Sequence, residues 1–270
     1  MNTRYSFLIA VTTLFLFSLA GNAFGQVGLS VSPPRVYYTL AARESGTQEL
    51  LVNNISKDHP LDLSITLGDW HYDEYGNNVM LPPDSLANSC ASWLSLPGGT
   101  YLTLQPGESR KIEVKMSVPL SVSADNNVQT AMLYVTQMNP VDGVDSQGAA
   151  IRINVRQGIK IYRRGLIAER KQLEISDMSF SGEKNLIGLT FNNNGNIWTD
   201  GLIRATLFNH TTGKEASLGN IPFFTMPGNQ RKVIIPLGES LEKGDYTATV
   251  ILDYGDETTL EAAELEFSHE

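Results

Sequence analysis

From residue 27 onward, apolar and polar residues alternate with a period of two, and no stretch carries the sustained period of a helix. The alternation is plain in Gln48-Glu49-Leu50-Leu51-Val52, in Leu61-Asp62-Leu63-Ser64-Ile65 and in Arg110-Lys111-Ile112-Glu113-Val114-Lys115-Met116. It returns in Ile151-Arg152-Ile153-Asn154-Val155, in residues 245–250 and in residues 260–267. Such patterning describes antiparallel strands with one dry face and one wet face. Turn chemistry punctuates it at Pro33-Pro34, Gly76-Asn77, Pro97-Gly98-Gly99, Pro106-Gly107 and Pro227-Gly228-Asn229.

Short strands between frequent turns predict an all-β chain of β-sandwiches. A weak internal repeat sets the number at two. Gln105-Pro106-Gly107-Glu108-Ser109-Arg110-Lys111-Ile112 matches Met226-Pro227-Gly228-Asn229-Gln230-Arg231-Lys232-Val233, each a Pro-Gly turn feeding an alternating strand. Val52-Asn53-Asn54 echoes Phe191-Asn192-Asn193 in the same way. The expectation is two tandem immunoglobulin-like β-sandwich domains, residues 26–164 and 165–270. The boundary falls where an apolar strand gives way to charged residues between 163 and 170.

Residues 1–25 read as a cleaved secretory signal: Arg4 as a basic start, an apolar run over 7–20, and Ala23-Phe24-Gly25 as a small-x-small site. No second run is long and apolar enough for a bilayer, so the mature chain is expected to be soluble and not membrane-embedded. With one cysteine, Cys90, the chain can form no internal disulfide and must rely on its cores. Cys90 reads as a half-buried bystander. The net charge of −9 disfavours nucleic acid as a partner.

Catalytic chemistry finds little support. The histidines His59, His71, His210 and His269 have no ligand-like spacing, and one cysteine cannot build a thiolate zinc site. No nucleophile elbow, metalloprotease helix or phosphate-cradling glycine loop is present. Asp69, Asp73 and Glu74 around Trp70, His71 and Tyr72 read as a strand end with a buried Trp and solvated acids, ahead of a sugar platform. The acidic hairpin at Asp253, Asp256 and Glu257 lacks calcium-ligand spacing. No enzyme activity, cofactor or metal is expected.

The informative segment is residues 149–162, where Ile151, Ile153, Val155, Ile159 and Ile161 alternate with Arg152, Asn154, Arg156 and Lys160. Taken alone, it reads as the last strand of the first domain, with one face in that domain's core. As a single strand it is long, since strands average 5–6 residues.

Three stretches resemble the periplasmic pilus-assembly chaperones, the PapD-like family, across roughly residues 27–165. Residues 27–38, with Arg35 before Val36 and Tyr37, resemble the family's first strand. Leu104-Gln105-Pro106-Gly107 resembles its Leu-x-Pro-Gly turn, and Ile159-Lys160-Ile161-Tyr162-Arg163-Arg164 resembles its cleft segment. Gly165 departs from the family's proline, and the second domain looks like a generic fibronectin-like sandwich. The resemblance implies a periplasmic chaperone that caps pilus subunits by donor-strand complementation. It implies Ile151, Ile153 and Val155 as the donor-strand residues that fill the subunit's groove. Arg35 and Lys160 are implied as the anchor for the subunit's C-terminal carboxylate. Its partners would be pilin-like subunits and an outer-membrane usher, and family members commonly guard the idle strand by self-association or loop cover. The competing reading is a non-enzymatic surface or matrix adhesin, or carbohydrate-binding protein, of tandem Ig-like modules. That reading expects an exposed aromatic platform around Trp70 and Tyr72.

Overall fold

The computed structural model describes residues 28–122, 127–144, 147, 149–238, 241–255 and 260–269. The stretch read as a signal, and Asp256 and Glu257 of the acidic hairpin, lie outside the described residues. Strands dominate, and the one helical element among the described residues is a single 3-10 turn at Ala91–Trp93.

The strands build two β-sandwiches in tandem. The first contains β1 (Leu29–Ser32), β2 (Arg35–Thr39), β3 (Ser45–Asn54), β4 (Leu61–Tyr72), β5 (Asn78–Leu81), β6 (Leu94–Ser95), β7 (Tyr101–Leu104), β8 (Ser109–Ser117) and β9 (Val128–Gln137). After β10 (Val141–Val144) and β11 (Ala150–Ile153), β12 (Arg156–Arg164) completes it. One sheet runs β1-β3-β8-β6; the other runs β2-β12-β9-β4-β5, with β7 also on β4. Leu50, Leu63, Val114, Met116, Leu133, Ile159 and Ile161 are among the residues that fill the space between them. The second sandwich pairs β13 (Leu173–Ser181), β14 (Leu186–Asn193) and β17 (Gln230–Pro236) against β16 (Lys214–Thr225), β15 (Thr199–Asn209), β18 (Gly244–Asp253) and β19 (Glu261–His269). Its core includes Phe191, Ile203, Phe223, Ile235, Val250 and Leu252.

The repeat seen in the sequence is one structural device used twice. Asn54 ends β3 and Asn193 ends β14, and both are buried. The Oδ1 of Asn54 accepts from the Ser56 N–H at 3.0 Å, and that of Asn193 from the Gly195 N–H at 2.9 Å. Their own N–H groups donate to Glu108 O and Asn229 O, each at 2.9 Å, at the exits of the two Pro-Gly turns. Gly107 and Gly228 sit there at φ 73° and 77°, conformations a side chain rarely adopts.

The first strand is shared between the two sheets. β1 pairs antiparallel with β3, the chain crosses at a cis Ser32–Pro33 peptide, and β2 then pairs parallel with β12.

Three expectations change. Residues 149–162 are two strands, β11 and β12, separated at Asn154-Val155. Opposite that gap the chain spends Gln137, Met138, Asn139 and Pro140, two residues more. Met138 and Asn139 turn aside to β4 and its approach: the Met138 N–H donates to Asp62 O and the Asn139 amide donates to Pro60 O. Pro140 has no N–H to give a ladder. Cys90 is fully buried, its thiol pushed up by burial. Asp69 is also buried, held by the Ser85 and Leu86 N–H groups and the Ser89 hydroxyl. Arg163 lies in β12, the last strand of the first sandwich. It is buried and donates to Gln129 Oε1 at 2.7 Å and Leu40 O at 2.5 Å.

Candidate functional site

Beyond Arg35 the β2–β12 register matches Lys160 with Arg35, Ile161 with Val36 and Tyr162 with Tyr37. Side chains alternate across a strand, so Ile161 and Val36 drop into the core while Arg35, Lys160 and Tyr162 belong to outer positions or the sheet margin. Two residues distant in sequence thus become immediate neighbours.

The outer side of this sheet is not open to water. Trp70, Tyr72, Val128, Met132, Tyr134 and Tyr162 of the first sandwich pack with Ile197, Trp198 and Met226 of the second. Tyr162 stacks on Tyr37 at 5.1 Å and meets Trp198 at 5.2 Å, while Trp70 meets its edge at 5.5 Å. A cleft remains at the margin of this cluster, lined by Arg35, Tyr72 and Tyr162 on one side and Trp198, Asp200 and Phe224 on the other.

Lys160 is held in detail. Its Nζ donates to the Tyr72 hydroxyl at 2.9 Å and to Asn78 Oδ1 at 2.6 Å. It also stands 3.8 Å from the centroid of the Trp70 ring, a cation–π arrangement. Burial, and then the neighbouring Arg35, bring its pKa down to about 8. Arg35 lies with its guanidinium carbon 4.6 Å over the Phe224 ring. Among the described residues neither cation makes an ion pair. Two partly desolvated like charges side by side disfavour each other, and an anion between them removes that penalty. Each charge-assisted hydrogen bond so formed contributes about 1.5–3 kcal/mol.

The other sequence-chosen residues lie along the same path. β12 leads back from Lys160 to Val155, half-buried against the first core, and then to β11. There Ile153 is half-buried and Ile151 is 36% exposed. β11 pairs antiparallel with β10, and among the described residues no strand pairs with its other edge. Near the start of β12 the edge is closed by a side chain: Gln157 donates to Val31 O and accepts from the Val31 N–H, both at 2.9 Å.

Tyr72, Asn78, Trp198 and Phe224 were not singled out for this site from the sequence. Nothing local marks Asn78 as a partner of Lys160 or Phe224 as the partner of Arg35.

No family model matches the chain. No curated protein matches it either. Among solved structures it is similar to a chain of the Salmonella enterica SafA pilin–SafB chaperone complex, at 14% identity over 90% of this chain and 99% of that one, with a TM-score of 0.48. It is also similar to the E. coli chaperone DraB, at 17% identity over 88% and 99% of the two chains and a TM-score of 0.44. A chain of the chaperone–tip adhesin complex of CFA/I fimbriae matches at 12% identity over 89% and 98%, with a TM-score of 0.48.

Among the described residues, no group of three or more His, Cys, Asp or Glu side chains could hold a metal ion, and no helix is long and apolar enough to cross a membrane.

Proposed function

We propose that this protein is a periplasmic chaperone that caps pilin-like subunits by donor-strand complementation and does no bond chemistry. The observation that carries this reading is the pairing of Arg35 with Lys160, two cations side by side with no ion-pair partner among the described residues, Arg35 lining the interdomain cleft. A carboxylate suits such a pair, and a chain terminus is a carboxylate with a strand attached. From Lys160, β12 runs back towards β11, whose outer edge offers main-chain donors and acceptors. Ile151, Ile153 and Val155 alternate along that path as groove-filling side chains. Ile153 lies about 23 Å from Lys160 at strand spacing. A terminus held at the cation pair would therefore fix the register in which the client's last strand meets those three residues. The signal-like residues 1–25 supply the route to the periplasm, and an outer-membrane usher is the expected recipient of the capped subunit.

The adhesin reading loses its main expectation, because Trp70 and Tyr72 are buried beneath the second domain and Lys160 instead of forming an exposed platform.

The test is recovery of the client. The full chain, tagged and expressed in its native periplasm, is expected to bring down a subunit ending in a free carboxylate. Arg35→Ala and Lys160→Glu should each remain folded and lose it. Equal recovery with the variants ends the anchor assignment, and recovery of a glycan-bearing partner favours the adhesin.

A further inference from the structure

The turn between β4 and β5, residues 73–77, belongs to the first sandwich but is gripped by the second. Asp73 shapes it internally: its carboxylate accepts from the Tyr75 N–H at 2.9 Å and the Asn77 N–H at 2.8 Å. Arg231, at the start of β17, buries its guanidinium against the turn and donates to Asp73 O and Glu74 O, each at 3.2 Å. Beside it the Lys232 N–H donates to Glu74 O at 2.7 Å, and Lys232 Nζ pairs with the Glu74 carboxylate at 2.7 Å. The fit is close enough that a Cβ on Gly76 would fall 1.9 Å from the Arg231 guanidinium.

The residues that flank this turn are Tyr72 and Asn78, the two that accept from the Lys160 ammonium. We propose that Arg231 is a positioning residue for the cation pair: by clasping the 73–77 turn it holds Tyr72 and Asn78 against Lys160, so the second domain sets how the first presents its charge. This rests on the anion-site reading above. It assigns the second sandwich a task that a mere spacer would not have. A loosened turn would free the ammonium to swing into water, and a client terminus would then have to order it again at an entropic cost.

The test follows Lys160 directly. In the full chain with 13C-labelled lysines, the Lys160 signal, assigned by its loss in Lys160→Met, reports the ionisation midpoint. The titratable groups that face that ammonium are Arg35 on β2 and Tyr72 on β4; Tyr162 on β12 neighbours Tyr72, Asp200 of the second domain lines the cleft beside Arg35, and Arg231 reaches the ammonium only through Tyr72. Arg231→Gln is expected to raise the midpoint by at least about half a pH unit as water reaches the ammonium. It should also weaken binding of a synthetic peptide with a free C-terminal carboxylate about tenfold, with Arg231→Lys in between. A folded Arg231→Gln with an unmoved midpoint overturns the proposal. If that variant does not fold, Lys232→Ala, which removes only the exposed ion pair, must shift the midpoint the same way by a smaller amount; no shift there overturns it equally. A wild-type chain that binds neither the peptide nor its C-terminal amide would count against the anion site, while the lysine midpoint would still decide the clasp.

Discussion

Lys160 and Arg35 face each other across two parallel strands, and the nearest polar partners of Lys160 are a neutral hydroxyl and a neutral amide. Its charge is therefore maintained against burial and against a like neighbour. The pH dependence follows with a definite sign. The unfolded chain holds the Lys160 proton up to about 10.5, the folded chain only to about 8. Between those values the unfolded state binds more protons, so this group makes stability rise with pH through that window, while below it the penalty stays constant. Lys160→Met should accordingly stabilise the protein near pH 6.5 by about 1 kcal/mol, a figure reduced for the solvent-exposed part of the side chain. The gain should vanish as pH approaches about 10.5, measured by urea denaturation across pH.

Binding of a carboxylate has the opposite dependence, because it needs the charged lysine. Affinity for a peptide with a free terminus should be flat below pH 7 and fall above about 8. The fall approaches tenfold per pH unit until the raised pKa of the complex is reached. Calorimetric titration at fixed ionic strength measures this. A flat profile through pH 9.5 would remove Lys160 from the contact.

Ile153 and Ile159 share a sequence pattern but differ in place: Ile153 is half-buried on β11, and Ile159 has no exposure in the first core. Ile153→Asp should leave thermal stability nearly unchanged and abolish client recovery. Ile159→Asp should cost more than about 4 kcal/mol, because a carboxylate there has no partner. Melting curves of the two variants, side by side, separate donor surface from core.

Asn54 and Asn193 hold equivalent turn junctions, and Asn54 also donates to His59 O at 2.8 Å and to Leu104 O at 3.1 Å. Replacing either by Ala strands buried carbonyls and should cost about 2–4 kcal/mol. The sites are in different sandwiches, so the double variant should show the sum of the two losses. Denaturant midpoints of the four proteins check both claims.

Cys90 offers a simple probe of opening. Its burial and raised pKa should make it inert to a thiol reagent at pH 8 in the native protein. Labelling should track unfolding, and rapid labelling of the native chain would contradict the packing described.

Much of the fold was legible because it is local. Strand alternation, the glycine turns and the Asn54/Asn193 echo each depend on residues close in the chain. Arg35 and Lys160 were legible through their resemblance to the family's motifs, but that they become neighbours in register was not, since it depends on the strand crossing at Pro33. Arg231 shows the limit most clearly. In the repeat it matches Arg110, which is exposed and pairs with Glu108 at 2.5 Å. Only the docking of the second sandwich turns the same position into a buried clasp. Asp69 was missed for a similar reason: its partners, Ser85, Leu86 and Ser89, lie on a loop whose path no periodicity records. The break between β11 and β12 depended on a two-residue mismatch with the opposite chain, invisible in either strand alone.

The pairing of β2 with β12 joins the beginning of the first sandwich to its end. If the chain is exported as proposed, Arg35 emerges long before Lys160, and a contact of such large sequence separation forms late. A partly exported copy of this protein therefore carries the first cation without the second. On the proposed reading, competence to hold a partner arrives only when the last strand closes, so immature copies would not compete with finished ones.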